Sequence, residues 1–163
     1  MAAKQTKARS RSTSPAVEAQ PLDLSALTSI VGYPLRRAQL AVFEDFNRRF
    51  VALELSPAQY SALVIIAANP GRKQSEIADA LGIQRPNFVA MMDELERRGL
   101  AERLRTPVDR RSRALAATAA GAALAARARR AQAEQEKEVE RLIGREGRER
   151  LVAALTRLSE LGI

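Results

Sequence analysis

The sequence predicts a mainly α-helical fold that contains one short β-hairpin. Through most of the chain, apolar residues recur every three or four positions, which is the period of a helix with one buried face. Glycine or proline interrupts this period at Pro34, Pro57, Gly82, Gly99 and Gly144, where helices are expected to begin or end. After Gly99 the helical period gives way to two short runs around a polar tip, which is typical of a hairpin.

Residues 1–21 are predicted to form a disordered basic tail. They are mainly Lys, Arg, Ser, Thr, Ala and Pro, with almost no large apolar side chains. Lys4, Lys7, Arg9 and Arg11 stand against Glu18, so the tail carries a local charge of +3. Such a tail either contacts a polyanion without sequence preference or is simply solvated.

Two helices are predicted before the break at Asn69-Pro-Gly71. The first covers residues 34 to about 53. Its apolar positions are Leu35, Ala38, Val42, Phe46, Phe50 and Leu53. The second begins at Ser56 and Pro57, a favourable start for a helix, and runs to Ala68.

A helix-turn-helix is predicted between residues 75 and 99. Ile77, Ala78 and Leu81 place an apolar stripe on a short helix, and Gly82 is positioned to end it. The longer second helix has an apolar face at spacings of three and four, made by Phe88, Met91, Met92 and Leu95. Two helices joined so closely cross steeply, which leaves one face of the second helix outside.

Residues 100–104 and 112–116 are predicted to be the strands of a two-stranded β wing. The tip between them, residues 105–110, contains the turn residues Pro107 and Asp109. A helix, a turn, a second helix and a hairpin follow one another in a winged helix-turn-helix. The predicted fold class is therefore a mainly α winged helix-turn-helix, and DNA binding is the first function to consider.

Four residues at the start of the second helix are candidates for contact with DNA bases. Gln84, Arg85, Pro86 and Asn87 lie at its N-terminal end, away from the apolar face, where a recognition helix enters the major groove. Glutamine and asparagine side chains pair with adenine, and arginine pairs with guanine. The alternative is an ordinary helical hairpin with a solvated polar face.

Seven arginines lie between residues 97 and 113, against Glu102 and Asp109, so this segment carries a local charge of +5. Arginine fits a narrow minor groove and pairs with phosphate oxygens. A charge run is usually a solvated surface, but this one follows a candidate recognition helix. The arginines expected to contact DNA are Arg103, Arg105, Arg110, Arg111 and Arg113.

An alanine-rich helix is predicted from residue 117 to about 142, and a last helix from about 146 to 161. A compact winged domain offers such outer helices little to pack against. Their apolar residues either complete an intramolecular core or contact a second copy of the chain, and the second alternative is favoured. The residues concerned are Leu22, Leu24, Leu27, Ile30, Leu151, Leu155, Leu158 and Leu161.

Composition argues against several other classes of protein. The 163 residues and 46% hydrophobic content suit one domain with a core, and the net charge of +8 favours a polyanionic partner. Cysteine and histidine are absent, which removes disulfides, thiolate metal sites and Ser-His catalysts. There is no Gly-rich phosphate loop, no run of about 20 apolar residues and no apolar signal-peptide core. We expect a cytoplasmic protein that is not an enzyme and has no metal, cofactor or membrane partner.

The segment LGIQRPNFVAMMDELERRGLAERLRTPVDRRSRALAATAAG resembles the MarR family of bacterial transcription regulators. The resemblance extends from about Leu24 to the C-terminus. Its most specific parts are ERRGLAER at residues 96–103, Asp109-Arg-Arg in the wing, and an L-x-x-T-x-x-G pattern at Leu115, Thr118 and Gly121. The resemblance implies N- and C-terminal helices that interlock two chains in a homodimer, which would read half-sites about 10 base pairs apart.

The resemblance also implies roles for residues of the wing. Asp109 and Arg111 would brace the wing loop and Arg110 would enter the minor groove, although the pattern leaves the roles of the two arginines interchangeable. One departure is Gln84, where family members often have Ser, Thr or Asp, which are better N-caps. This departure leaves the base preference open.

A small aromatic effector is implied by the same resemblance. The run VGYPLRRAQLAVFEDF is similar to the branch of the family that responds to hydroxycinnamoyl-CoA thioesters. Aromatic side chains for an apolar pocket and arginines for a carboxylate or phosphate are concentrated in this region. The predicted effector-binding residues are Tyr33, Arg36, Arg37, Phe43, Phe46, Phe50 and Tyr60. The alternative is that the aromatic rings are core and the arginines solvated.

The expected organisation has four segments along the chain. A basic tail (1–21) precedes an N-terminal dimerisation and effector helix (22–56), a DNA-binding lobe (57–116) and C-terminal dimerisation helices (117–163). The expected function is a homodimeric repressor released from its operator by an aromatic effector such as p-coumaroyl-CoA or feruloyl-CoA. The competing hypotheses are a ligand-independent architectural DNA-binding protein and, less favoured, a protein-interaction module.

Overall fold

The computed structural model describes residues 22–105 and 113–161. In chain order the elements are α1 (Ser25–Thr28), α2 (Gly32–Phe50), α3 (Pro57–Ala68), β1 (Arg72–Lys73), α4 (Gln74–Ala80), α5 (Arg85–Arg97), β2 (Ala101–Arg105), β3 (Arg113–Ala117) and α6 (Ala119–Leu158). The predicted mainly α winged helix-turn-helix is confirmed. The predicted basic tail and the wing tip with Asp109, Arg110 and Arg111 lie outside the described residues.

The chain divides into two compact units, Met1–Arg36 and Arg37–Ile163. In the first unit, the Ser25 backbone N–H donates to the Asp23 carboxylate at 2.9 Å, which lowers the pKa of Asp23. Among the described residues of this unit, the exposed large aliphatic side chains are Leu22, Leu24, Leu27, Ile30, Val31 and Leu35. The described part of the first unit therefore presents an uncovered apolar surface.

The two helices predicted before the helix-turn-helix are present, with small differences at their ends. α2 begins two residues earlier than predicted and passes into a 3-10 turn at Val51–Leu53. Glu54 then turns the chain with a φ of 50°. The Ser56 hydroxyl accepts a hydrogen bond from the Gln59 N–H at 3.2 Å, and the Gln59 side chain accepts one from the Ser56 N–H at 3.0 Å. This reciprocal cap fixes the start of α3.

α4 and α5 form the predicted helix-turn-helix. Gly82 lies between them with a φ of 61°, and the Ile83 N–H closes the turn by donating to the Ala78 carbonyl at 3.0 Å. α5 begins at Arg85 with Pro86 in its first turn, where the missing N–H leaves no helix bond unmade. The inner face of α5 is completely buried at Phe88, Met92 and Leu95.

The wing strands β2 and β3 pair in antiparallel fashion, with Ala101 opposite Ala117 and Arg105 opposite Arg113. The sheet also contains a third strand, because β1 pairs with β3 on its other side and gives the order β1-β3-β2. The prediction of a two-stranded sheet therefore missed β1. Two residues are too few to show the alternation that identifies a strand in a sequence.

α6 consists of two helical parts separated at Gly144, as the sequence predicted. Gly144 has a φ of 74° and a ψ of 161°, and Arg148 beyond it donates from Nε to the Glu136 carboxylate at 2.7 Å. At the start of α6, the Thr118 hydroxyl donates to the Gly99 carbonyl at 2.7 Å and accepts from the Gly121 N–H at 3.0 Å. This threonine therefore ties the end of the sheet to the turn that follows α5.

The core of the second unit lies among the end of α2, α3, α5 and the sheet. Its largest fully buried side chains are Phe50, Leu63, Ile66, Phe88, Met92, Leu95 and Leu115. Each side chain of this size contributes about 1.5–3 kcal/mol through its burial. Gln135 on α6 is the buried polar side chain of the described region, and it donates from Nε2 to the Val42 carbonyl of α2 at 2.8 Å.

In the described parts of the chain, no single helix is long and apolar enough to span a membrane. Gly32–Leu53 and Pro57–Ala68 reach that length and composition only as a pair, across a bend of 64°. Ala62, Leu63 and Ile66 of the second member are fully buried. This helix is apolar because it packs at the centre of the core.

We predict that Gly121→Ala will destabilise the protein by at least about 3 kcal/mol. A Cβ atom at this position would lie 1.7 Å from the carbonyl oxygen of Leu100, and the clash is with backbone that cannot rotate away. Urea unfolding followed by circular dichroism measures the free energy of unfolding.

Gly147→Ala is the matched control for this prediction. The nearest atom to its added Cβ is the Ile143 Cβ at 3.4 Å, an ordinary contact, and alanine is the better helix former by about 0.5–1 kcal/mol. The control is expected to unfold at the wild-type urea concentration or slightly above it. Equal midpoints for the two variants would contradict the close approach of α6 to Leu100.

Candidate DNA interface and effector cavity

The structure brings the four predicted base-reading residues to one exposed end of α5. Gln84 is the N-cap of the helix, and Arg85, Pro86 and Asn87 form its first turn. All four are exposed, whereas the opposite face of the helix is buried. The Gln84 side chain makes no capping hydrogen bond, so its amide is available to a ligand.

The guanidinium of Arg85 is only weakly held. It lies 3.7 Å from the Asp79 carboxylate, and the two side chains are 72% and 63% exposed. Ion pairs in such surroundings are worth about 0–1 kcal/mol because water and salt screen them. Arg85 can therefore leave Asp79 for a stronger acceptor, such as a guanine edge, at small cost.

Arg105 and Arg113 occupy opposed positions at the outer end of the wing strands. They flank the segment that carries Asp109, Arg110 and Arg111, which lies outside the described residues. The predicted contacts of all these arginines with DNA, and the predicted Asp109–Arg111 brace, remain predictions.

Arg103 differs from the expectation that it contacts DNA. Its side chain is only 9% exposed, and its guanidinium pairs with the carboxylates of Asp93, at 2.8 Å, and of Glu96. It also donates to the Gln74 side chain at 3.1 Å and, at the edge of bonding distance, to the Val89 carbonyl at 3.4 Å. These contacts occupy the donors that a phosphate would need. The structure therefore gives Arg103 contacts within the protein in place of the predicted contact with DNA.

Arg98, another member of the arginine run, also has an internal role. Its side chain is 20% exposed, and it donates to the Glu54 carbonyl at 2.6 Å and to the Leu53 carbonyl at 3.4 Å. These carbonyls belong to the turn that follows α2. Arg98 therefore ties the C-terminal end of α5 to the C-terminal end of α2, across more than 40 residues of sequence.

Three of the aromatic residues predicted for the effector form a packed cluster. The rings of Phe46 and Phe50 are stacked with centroids 3.7 Å apart, and Tyr60 contacts them at 5.8 and 5.2 Å. Phe46 and Phe50 are 4% and 1% exposed, so they are core residues and not the lining of an open pocket. Burial also raises the pKa of the Tyr60 phenol. For Phe46 and Phe50 the structure supports the core alternative.

Phe43 lines a cavity that has a volume of about 490 Å³. Such a volume is within the usual range for small-molecule sites. The cavity lies between α2, the start of α3 and the turn before α5, and its lining is Phe43, Asn47, Ser56, Pro57, Ala58, Ser61, Leu81 and Ile83. Most of these residues are apolar, and Asn47, Ser56 and Ser61 supply polar groups.

Tyr33, Arg36 and Arg37 lie in the first two turns of α2. Tyr33 is half-buried, and both arginines are exposed. Within the described residues neither arginine forms a salt bridge. Their predicted contacts with an effector remain predictions.

Sequence reasoning missed most of the cavity lining. Asn47 and Ser61 lie among the apolar positions of their helices and show no pattern of their own. Leu81 and Ile83 were interpretable only as the end of a short apolar stripe and the turn after it. The cavity is assembled from three separate segments, so only the fold brings these residues together.

Comparison with known proteins identifies what this architecture is similar to. A family model described as MarR family matches residues 53–112. A protein of Thauera aromatica, assigned as a transcriptional regulator for the hcr operon, is 39% identical over 89 residues. That match covers 54% of this chain and 54% of the relative, so it spans about half the length of each.

Two solved structures of the transcriptional repressor CouR match much more of the chain. The structure bound to a 23-mer DNA duplex is 47% identical with a TM-score of 0.83, over 86% of this chain and 100% of the CouR chain. The structure bound to p-coumaroyl-CoA is 44% identical with a TM-score of 0.80, over 86% and 99% of the two chains. By its winged fold, its match to the family model and this similarity along a whole repressor chain, the protein belongs to the MarR family.

Proposed function

We propose that this protein is a homodimeric transcriptional repressor that is released from its operator by a hydroxycinnamoyl-CoA thioester such as p-coumaroyl-CoA or feruloyl-CoA. The observation that carries DNA binding is the start of α5, where Gln84, Arg85 and Asn87 are exposed above a completely buried helix face. Similarity to CouR, solved with DNA and with p-coumaroyl-CoA, supports both ligands. The protein would act in the cytoplasm as a regulator and not as an enzyme.

In this proposal each protomer contacts its DNA half-site in both the major and the minor groove. Gln84, Arg85, Pro86 and Asn87 enter the major groove, where amide and guanidinium groups discriminate base edges. The wing reaches the adjacent minor groove, with Asp109 and Arg111 as its brace and Arg105, Arg110, Arg111 and Arg113 as its cations. A net charge of +8 strengthens binding through the release of counterions.

Exposed apolar side chains support the homodimer. Outside the core, α6 presents Leu142, Ile143, Leu151, Val152, Leu155 and Leu158 to solvent, and Leu161 beyond its end is also exposed. The first unit presents its own set of exposed leucines and isoleucine. Large uncovered apolar patches mark association surfaces, so the intramolecular-core alternative for these residues has no support. A two-fold dimer would place two recognition helices on successive turns of DNA.

The cavity beside Phe43 supports the effector site. Its apolar lining suits the aromatic acyl part of a thioester, and three polar side chains can orient it. Tyr33, Arg36 and Arg37, earlier on α2, would meet the coenzyme A part, whose phosphates need cations. Leu81 and Ile83 of the lining belong to the turn that ends at Gln84, so a ligand in the cavity would contact the segment that positions the recognition helix.

The protein is released from its operator if the effector binds more tightly to a conformation of the protein that does not fit the operator. The shift in DNA affinity cannot exceed the difference in effector affinity between the two conformations. Because this coupling is reciprocal, operator DNA must weaken effector binding by the same factor.

We predict that Arg85→Ala will weaken binding to the protein's own promoter by about 1–3 kcal/mol and will change binding to scrambled DNA much less. Base readout is lost, while the phosphate contacts remain. Arg97→Ala is the matched control, because Arg97 is exposed at the other end of α5 and pairs only within the helix, with Glu94. Fluorescence anisotropy of wild type and both variants on the two DNAs measures the six affinities. Equal losses on both DNAs for Arg85→Ala would exclude base readout by this residue.

We predict that p-coumaroyl-CoA and feruloyl-CoA will abolish binding to own-promoter DNA at about 150 mM salt, whereas the free acids will not. The thioesters supply the phosphates that the arginines of α2 would bind. Anisotropy titrations with each compound, on own-promoter and scrambled DNA, measure the response. If the protein binds both DNAs equally and no compound changes that binding, the hypothesis of an architectural DNA-binding protein replaces the repressor hypothesis.

The variant Ala58→Trp locates the effector within this experiment. Ala58 is exposed in the first turn of α3 and lines the cavity, so an indole ring there fills the cavity without entering the core. DNA binding should be retained and the response to thioesters lost. A full thioester response in this variant would place the effector elsewhere.

We predict that Leu155→Asp will convert the protein to a monomer, because a charge then occupies the exposed apolar side of the last helix. Light scattering coupled to size-exclusion chromatography measures the mass. Ala153→Asp is the matched control, since it adds the same charge on the other side of this helix. A dimeric Leu155→Asp variant would remove this helix from the interface.

A further inference from the structure

Arg103 connects three elements of the DNA-binding lobe through one nearly buried guanidinium. It lies on β2, the strand that leads to the wing. Its Nε donates to Gln74, the first residue of α4, while its terminal nitrogens pair with Asp93 and Glu96 of α5. The Arg103 backbone N–H also donates to the Glu96 carboxylate at 2.8 Å. Both the main chain and the side chain of Arg103 are therefore attached to α5.

The contacts on α5 follow one face of the helix. Val89, Asp93 and Glu96 are separated by four and three residues, so they lie above one another over two helical turns. On the sheet side, Arg103 is opposite Leu115, which is fully buried. The strand that holds Arg103 is thus fixed in the core, and α5 is held against that strand.

We propose that Arg103 is a positioning residue for DNA recognition, which fixes the recognition helix relative to the wing so that both reach their grooves at once. This inference rests on the proposed DNA-binding function. Arg103 lies two residues before the end of β2, and Val89 follows the exposed residues at the start of α5 by less than one turn. The guanidinium therefore sits between the part that reads bases and the part that enters the minor groove.

The chemistry of this site requires arginine. A guanidinium presents its donors in a flat fork and serves several acceptors in one plane, whereas an ammonium group is a single point charge. A nearly buried charge such as that of Arg103 is favourable only when it is fully paired. Replacing either Arg103 or Glu96 leaves the other partner without its full set of bonds.

Two variants separate positioning from direct contact with DNA. Arg103→Lys keeps the positive charge, so this variant should bind DNA normally if Arg103 only contacts phosphate. If Arg103 is a positioning residue, the variant loses the simultaneous contacts with Gln74 of α4 and with Asp93 and Glu96 of α5. Glu96→Gln removes a negative charge, so simple electrostatics predicts equal or tighter DNA binding, whereas loss of positioning predicts weaker specific binding. Arg97→Lys is the matched control, because Arg97 is 71% exposed and pairs with Glu94 within one helix.

The experiment measures anisotropy of each variant on own-promoter and scrambled DNA over a series of salt concentrations. Arg103→Lys and Glu96→Gln should each lower the ratio of specific to non-specific affinity roughly tenfold, and the double variant should lose little more. The salt dependence on scrambled DNA should stay unchanged, since a lost phosphate contact would reduce the slope by about 0.9. An unchanged ratio in Glu96→Gln, or an unchanged ratio in Arg103→Lys, overturns the proposal.

Amide hydrogen exchange provides a readout without DNA. Exchange in residues 85–97 and 101–105 should be faster in Arg103→Lys and Glu96→Gln than in wild type or Arg97→Lys. If wild type fails to discriminate its promoter but exchange increases as expected, the proposed function fails, whereas the attachment of α5 to β2 by Arg103 stands. If exchange is unchanged in both variants, the positioning role of Arg103 fails whatever DNA the protein prefers.

Discussion

The burial of one face of α5 is the constraint on which the rest of the structure depends. Phe88, Met92 and Leu95 are all completely buried, and they fix the rotation of the helix about its own axis. A rotation by one residue position, about 100°, would expose this face and bury the polar residues at Gln84 to Asn87. The apolar face therefore decides which side chains face outward, and the candidate interface with DNA is a consequence of core packing.

The elements with strong local signals were predictable from the sequence. These signals are the cap at Ser56, the turns at Gly82 and Gly144 and the apolar period of α5. Each depends on interactions within a few residues, so the sequence alone is enough to predict it. β1 was not predictable, because two residues become a strand only when β3 lies beside them. The direction of a long charged side chain is likewise set by tertiary contacts. Arg98 and Arg103 look like the other arginines of their run, but they point to carbonyls and carboxylates of the protein itself.

Helix α2 illustrates why the candidate effector site was only partly predictable. Its aromatic residues share a broad apolar face, and that pattern fits a core as well as a ligand pocket. The fold divides them by depth: Phe46 and Phe50 stack in the core, whereas Phe43, 44% exposed, reaches the cavity. The polar groups of the lining come from Asn47 on α2 and from Ser56 and Ser61 at the start of α3, and the remaining wall comes from the turn before α5. No pattern within one segment of the sequence could have shown that these three segments form one cavity.

The same contacts describe how the cavity and the recognition helix are connected. At its beginning, α5 is joined through its N-cap Gln84 to Ile83, which lines the cavity. At its end, Arg98 holds the turn at Leu53 and Glu54, which follows the helix that forms another wall of the cavity. Both ends of α5 are thus attached to borders of one cavity, while Arg103 joins its middle to the wing. A ligand that moved either border would shift α5 together with the wing, because a helix held at both ends and braced at its centre moves as one body.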